Sequence, residues 1–118
     1  MALETLVFHE LRVRNTTARL HRPLAYYRTA AGAEIHFVIE TRKRQPGQKA
    51  QVVCIEVKHA ERWQRKWERP MQDMNADARI ETKRMIGVYR GHRRYRFDAV
   101  DVLPIREFME ELHAGLVF

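Results

Sequence analysis

The chain has one cysteine, five glycines and no long apolar run, and each shortage removes a class of protein. Cys54 has no partner for an internal disulfide. It sits in an apolar stretch with no signal-like segment ahead of it, which points to a reducing, cytoplasmic setting. No apolar run approaches the ~18 residues needed to cross a bilayer, so no membrane span is expected. The few glycines are scattered, and the sequence contains no P-loop, no GxGxxG and no HExxH. Cys and His do not cluster at metal-ligand spacing, so the common nucleotide-binding, dinucleotide-binding and zinc-hydrolase motifs are excluded.

What remains is basic and of single-domain size. With 118 residues the chain is read as one domain over 1–118, long enough to bury about two thirds of its unfolded surface without a metal or a disulfide. Lys and Arg number 22 against 15 Asp and Glu, a net charge of +7. The cations cluster at 42–44, 62–69 and 90–96, a surface that attracts polyanions, nucleic acid first, or that simply stays solvated. Arg62, Arg65, Lys66 and Arg69 surround Trp63 and Trp67 and are the candidate nucleic-acid contacts. The two tryptophans are open to two readings, stacking on bases or packing on a sheet.

Hydrophobic periodicity then gives the elements. Leu3, Leu6, Val7 and Leu11 recur at three and four, predicting a first helix over 3–14 with Glu10 inside its apolar stripe and Glu4 at its edge. Pro23 ends that unit and 24–28 reads as a short strand. A turn is expected at Thr29-Ala30-Ala31-Gly32. Residues 33–40 alternate, with Ile35, Phe37 and Ile39 on one face and Glu34, His36, Val38 and Glu40 on the other. A hairpin at 41–49 with Pro46-Gly47 leads into a strand at 52–58, where Val53, Ile55 and Val57 face a core and Cys54, Glu56 and Lys58 share the opposite face. A helical composition spans 61–78 with Pro70 starting a second helix or kinking the first. Strands are expected at 85–89, 95–97 and 100–103, and Pro104 opens a last helix facing inward with Ile105, Phe108, Met109 and Leu112.

Glu56 and Lys58 put a carboxylate and an ammonium side by side. Such a pair could hold a metal ion and position a water against a phosphate, or form an ordinary ion pair. A helix carboxylate, an acidic position on the second strand and Glu-x-Lys on the third occur in the order α-β-β-β-α-β. That arrangement resembles the PD-(D/E)xK nuclease superfamily. The runs Tyr27-Arg28-Thr29 to Val38 and Cys54 to Lys58 are similar to archaeal Holliday-junction resolvases. They resemble still more the domain of unknown function that follows AAA-type ATPase modules, whose ending is similar to Val102-Leu103-Pro104-Ile105-Arg106-Glu107-Phe108.

The resemblance implies a restriction-endonuclease-like α/β fold, an αβββαβ core with a mixed central sheet flanked by helices. It implies catalytic roles for Glu4, His36, Glu56 and Lys58, metal-ligand positions at Glu56, His36 and Glu34, and magnesium or manganese as the cofactor of an active site. It also implies DNA, an AAA-type ATPase module in the same or a neighbouring chain, and a second copy of the chain as partners. At His36 the sequence departs from the pattern, because active relatives carry aspartate there. Imidazole is a poor ligand for magnesium, and Glu34 lies one strand repeat of ~7 Å away. The sequence therefore points to a DNA-associated, nuclease-like domain with a degenerate site. The alternatives are an active metal-dependent DNA endonuclease, with a histidine-containing manganese or nickel site, and a non-catalytic interaction or dimerisation module. Beginning at Met1-Ala2-Leu3, the chain is expected to be either a stand-alone unit or an excised C-terminal domain.

Overall fold

Apolar side chains run consecutively along the third strand, and both of its faces are buried, which places it inside the sheet. The computed structural model describes residues 2–28 and 34–118. Its elements are α1 (Leu3–Thr17), β1 (Leu24–Arg28), β2 (Glu34–Arg42), β3 (Ala50–Val57), a 3-10 turn (Arg65–Glu68), α2 (Arg69–Asn75), β4 (Ile80–Tyr89), β5 (Tyr95–Phe97), β6 (Val100–Pro104) and α3 (Ile105–His113). The fold is mixed α/β, and the expected αβββαβ order is present. The turn expected at Thr29-Ala30-Ala31-Gly32 lies outside the described residues.

The strands form one six-stranded sheet in the order β1-β2-β3-β4-β6-β5. β1, β2 and β3 make an antiparallel meander. β4 lies parallel to β3 and to β6, and β5 returns antiparallel at the far edge. The parallel β3–β4 pair requires a crossover, which the 3-10 turn and α2 supply. Pairing of β3 and β4 continues past the end of β3, since Lys58 N–H donates to Val88 O at 2.9 Å.

Helices cover both faces, so the central strands read as apolar runs. On one face, Leu3, Val7 and Leu11 of α1 and Phe108 and Leu112 of α3 pack on Phe37, Ile39, Val53, Ile55 and Val57. On the other, Met71 and Met74 of α2 pack on Val38, Val52, Cys54, Met85, Val100 and Val102, with Tyr89 and Trp63 filling the end. Burial pushes the Cys54 thiol up to about 12, which keeps it protonated beside the Met74 sulfur at 3.3 Å.

Two expectations are corrected. Ile35 does not share the face of Phe37 and Ile39; it packs with Val38 and Cys54. The β1–β2 register shifts between Ala25 and Tyr27, which face Val38 and Ile35, so β2 carries one extra residue there and its side chains change face. The helix expected over 61–78 is confined to 65–75. Gln64 is extended (φ −113°, ψ 128°), and Trp63 leaves the helical path to lie over Gly87, which has no Cβ to block it. Pro70 sits in the first turn of α2, where its missing N–H costs nothing.

Candidate functional site

β2 and β3 pair with Phe37 opposite Ile55, and one residue beyond that pair in each strand the His36 ring meets the Glu56 carboxylate. Glu56 is nine-tenths and more buried, at 3% exposure. A buried carboxylate needs a partner, and it has one: the Nδ1 side of the His36 ring closes on Glu56 Oε1. From the start of α1, Glu4 reaches the other ring nitrogen, with its Oε2 3.4 Å from His36 Nε2. The three side chains thus form a row, carboxylate, imidazole, carboxylate, drawn from α1, β2 and β3.

That row sets the charge on His36. The hydrogen bond to Glu56 raises its pKa above the ordinary 6.5, burial opposes this, the charges of Glu56 and Glu4 add to the rise, and Lys58 opposes it. The Val57 N–H donates toward both His36 Nδ1, at 3.1 Å, and Glu56 Oε1, at 3.3 Å, and so ties the pair to the end of β3.

The remaining sequence-derived residues fall around this row. Lys58, Glu34, Lys66 and Trp67 line a cavity of about 330 Å³ together with His36, Glu56 and Pro70. Glu34 is drawn toward Arg28, whose Nη2 donates to it at 2.7 Å; Tyr26 and Arg28 together hold its carboxyl below the usual range. Glu10 stands apart, 3.3 Å from His113 at the end of α3. Among the four basic candidates, Lys66 alone lines the cavity. Arg62 and Arg69 are exposed nearby. The Arg65 guanidinium donates to Glu68 at 3.2 Å, pairs with Asp98 and lies 4.6 Å over the Phe97 ring, so it fastens the 3-10 turn to β5.

Two features escaped the sequence reading. Lys58 Nζ lies 5.4 Å from the centre of the Trp67 ring, and Trp67 meets Trp63 edge to face at 5.2 Å. Spacing alone marks the tryptophans as a pair but gives no hint that one of them holds a lysine. Glu68, at 3% exposure, accepts from Trp63 Nε1 at 2.9 Å. Its place next to Trp67 in a charged run gave no sign of burial.

Glu4, His36 and Glu56 contact one another rather than surround an open space. A metal ion at Glu56 would meet the side of the carboxylate that the His36 ring already faces. Among the described residues no group of three His, Cys, Asp or Glu side chains is arranged to hold a metal ion. No helix of the described residues is long and apolar enough to cross a membrane.

A protein-family model whose description is "Domain of unknown function (DUF4143)" matches residues 1–108. No curated protein and no solved structure matches the chain.

Proposed function

We propose, from the premise that this chain belongs to the DUF4143 domain family, that it is a DNA-binding module on a nuclease-like scaffold in which an internal ion pair has replaced the metal site. The observation that carries this reading is the contact between His36 and buried Glu56. A phosphodiesterase of the kind the sequence resembles needs that carboxylate free for a cation. Here a protein cation occupies it, and Glu4 completes the neutralisation from the far side of the ring.

DNA is the proposed partner because the chain carries a net charge of +7, and four of its cations, Lys58, Lys66, Arg62 and Arg69, lie along the crossover between β3 and α2. The link to an AAA-type ATPase module, in the same or a neighbouring chain, is supported by the resemblance of the strand motifs and of the closing residues 102–108. In that role the domain holds nucleic acid while the ATPase supplies the work.

The test is a pair of assays on branched, single-stranded and duplex DNA, in magnesium and in manganese. Binding should weaken steeply as salt rises, and strand cleavage should be no faster than that of Glu56→Ala. A flat salt response would remove DNA as the partner. Metal-dependent cleavage that disappears in Glu56→Ala would restore an active endonuclease.

A further inference from the structure

We infer that the cavity beside Glu56 is a phosphate seat that works without a metal ion, its two ligands being the ammonium groups of Lys58 and Lys66. That the phosphate belongs to a nucleic acid rests on the function proposed above; the seat itself rests on the charges that line the cavity.

Both carboxylates at the cavity wall are already engaged. Glu34 pairs with Arg28 at 2.7 Å, and Glu56 is closed off by His36. Among the described residues neither Lys58 nor Lys66 has a carboxylate within 4.0 Å. Lys58 is held instead by the face of Trp67, at 5.4 Å from the ring centre. An aromatic face orients an ammonium without cancelling its charge and takes none of its three N–H donors in a conventional hydrogen bond. Trp67 is itself fixed by Trp63, which is tied to buried Glu68. The result is a positioned, unneutralised cation beside a second one, facing a space of about 330 Å³. Lysine ammoniums binding as point charges are a recurrent means of holding phosphate, and a space of this size admits the group with its attached sugar.

The experiment uses inorganic phosphate first, titrated into the protein in the presence of a chelator while tryptophan emission and the lysine side-chain resonances are followed. Saturable binding is expected. Lys58→Gln and Lys66→Gln should each weaken it roughly tenfold or more, as expected for loss of one charged hydrogen bond. Trp67→Leu should weaken it while leaving the Lys66 resonance responsive. Equal affinity in the wild type and the Lys58→Gln/Lys66→Gln double variant, with both folded by thermal melt, overturns the seat. So does phosphate binding that appears only when magnesium is added.

A parallel titration with single-stranded oligonucleotides identifies the source of the phosphate. A preference for a 5′-phosphorylated strand that the double variant loses assigns the seat to strand ends. Equal binding of phosphorylated and hydroxyl-ended strands, again lost in the double variant, assigns it to internal phosphodiesters. DNA binding without phosphate binding would sink the seat and spare the DNA reading, and phosphate binding without DNA binding would do the reverse.

Discussion

His36 and Glu56 stand side by side on neighbouring strands, and the imidazole of the first closes on the buried carboxylate of the second. Glu4 approaches the same ring from the opposite side, 3.4 Å from Nε2. One half-buried imidazole therefore stands between two carboxylates.

This arrangement makes stability depend on pH with a definite sign. The folded state raises the His36 pKa above its ordinary 6.5, so folding binds its proton more tightly than the unfolded chain does. The resulting stabilisation is complete below the unfolded value and fades as pH rises through the raised folded value. Thermal melts of the wild type and of His36→Gln should show the widest gap at mildly acidic pH, narrowing toward alkaline pH. A gap that stays constant across this range would mean that His36 is neutral throughout.

His36→Asp should convert the row into three carboxylates. Like charges at that spacing repel, so the variant should melt at lower temperature than the wild type in metal-free buffer. Manganese should then bind to it with saturable one-to-one heat in calorimetry and restore the lost melting temperature, while the wild type gives no such heat. Identical titrations for the two proteins would show that His36 does not keep the metal out.

Gly87 faces Val102 on one neighbouring strand and Glu56 on the other, and the Trp63 ring lies over it. Any Cβ at this position would fall inside contact distance of that ring. Gly87→Ala should therefore cost about 1–3 kcal/mol through overpacking, read from denaturant unfolding, and should shift tryptophan emission. Because Trp63 supports Trp67, phosphate binding should weaken in the same variant.

Asp101, at 7% exposure, lies between Arg84 at 2.9 Å and Arg96 at 2.7 Å, and Arg84 also reaches Glu111 at 2.9 Å. Asp101→Asn leaves Arg96 without its carboxylate and Arg84 with Glu111 alone. The loss should be about 3 kcal/mol, at the lower end for a buried pair because Arg96 is largely in water. Arg96→Gln, by contrast, should change stability little, since exposed pairs contribute roughly 0–1 kcal/mol.

The sequence made β2 and β3 legible because alternation is the direct signature of a strand with two distinct faces. It also placed His36 and Glu56 on one face, and Pro104 marked the start of α3. What it could not carry was decided by contacts between distant residues. The shift that turns Ile35 away from Phe37 depends on how β1 pairs with β2, and no local pattern records that register. The stretch from Glu61 has helical composition, yet the void over Gly87 draws Trp63 out of a helix, so packing outweighed propensity. Asp101 lies within an apolar run whose strand was read correctly, but its two arginine partners come from β4 and β5. At the site, spacing gave the shared face of His36 and Glu56 but not the fact that each is the other's partner.

The two ends of the sheet also bear on how the molecule behaves at high concentration. β1 follows Pro23, spans five residues and is interrupted by the register shift; β5 spans three and carries the charged Arg96. Short, irregular, charged edges make poor templates for another chain's strand, so the sheet resists growing from molecule to molecule into aggregates. Any protein that binds this one is thereby left to dock through helices and loops, where association can be reversible, rather than by extending the sheet.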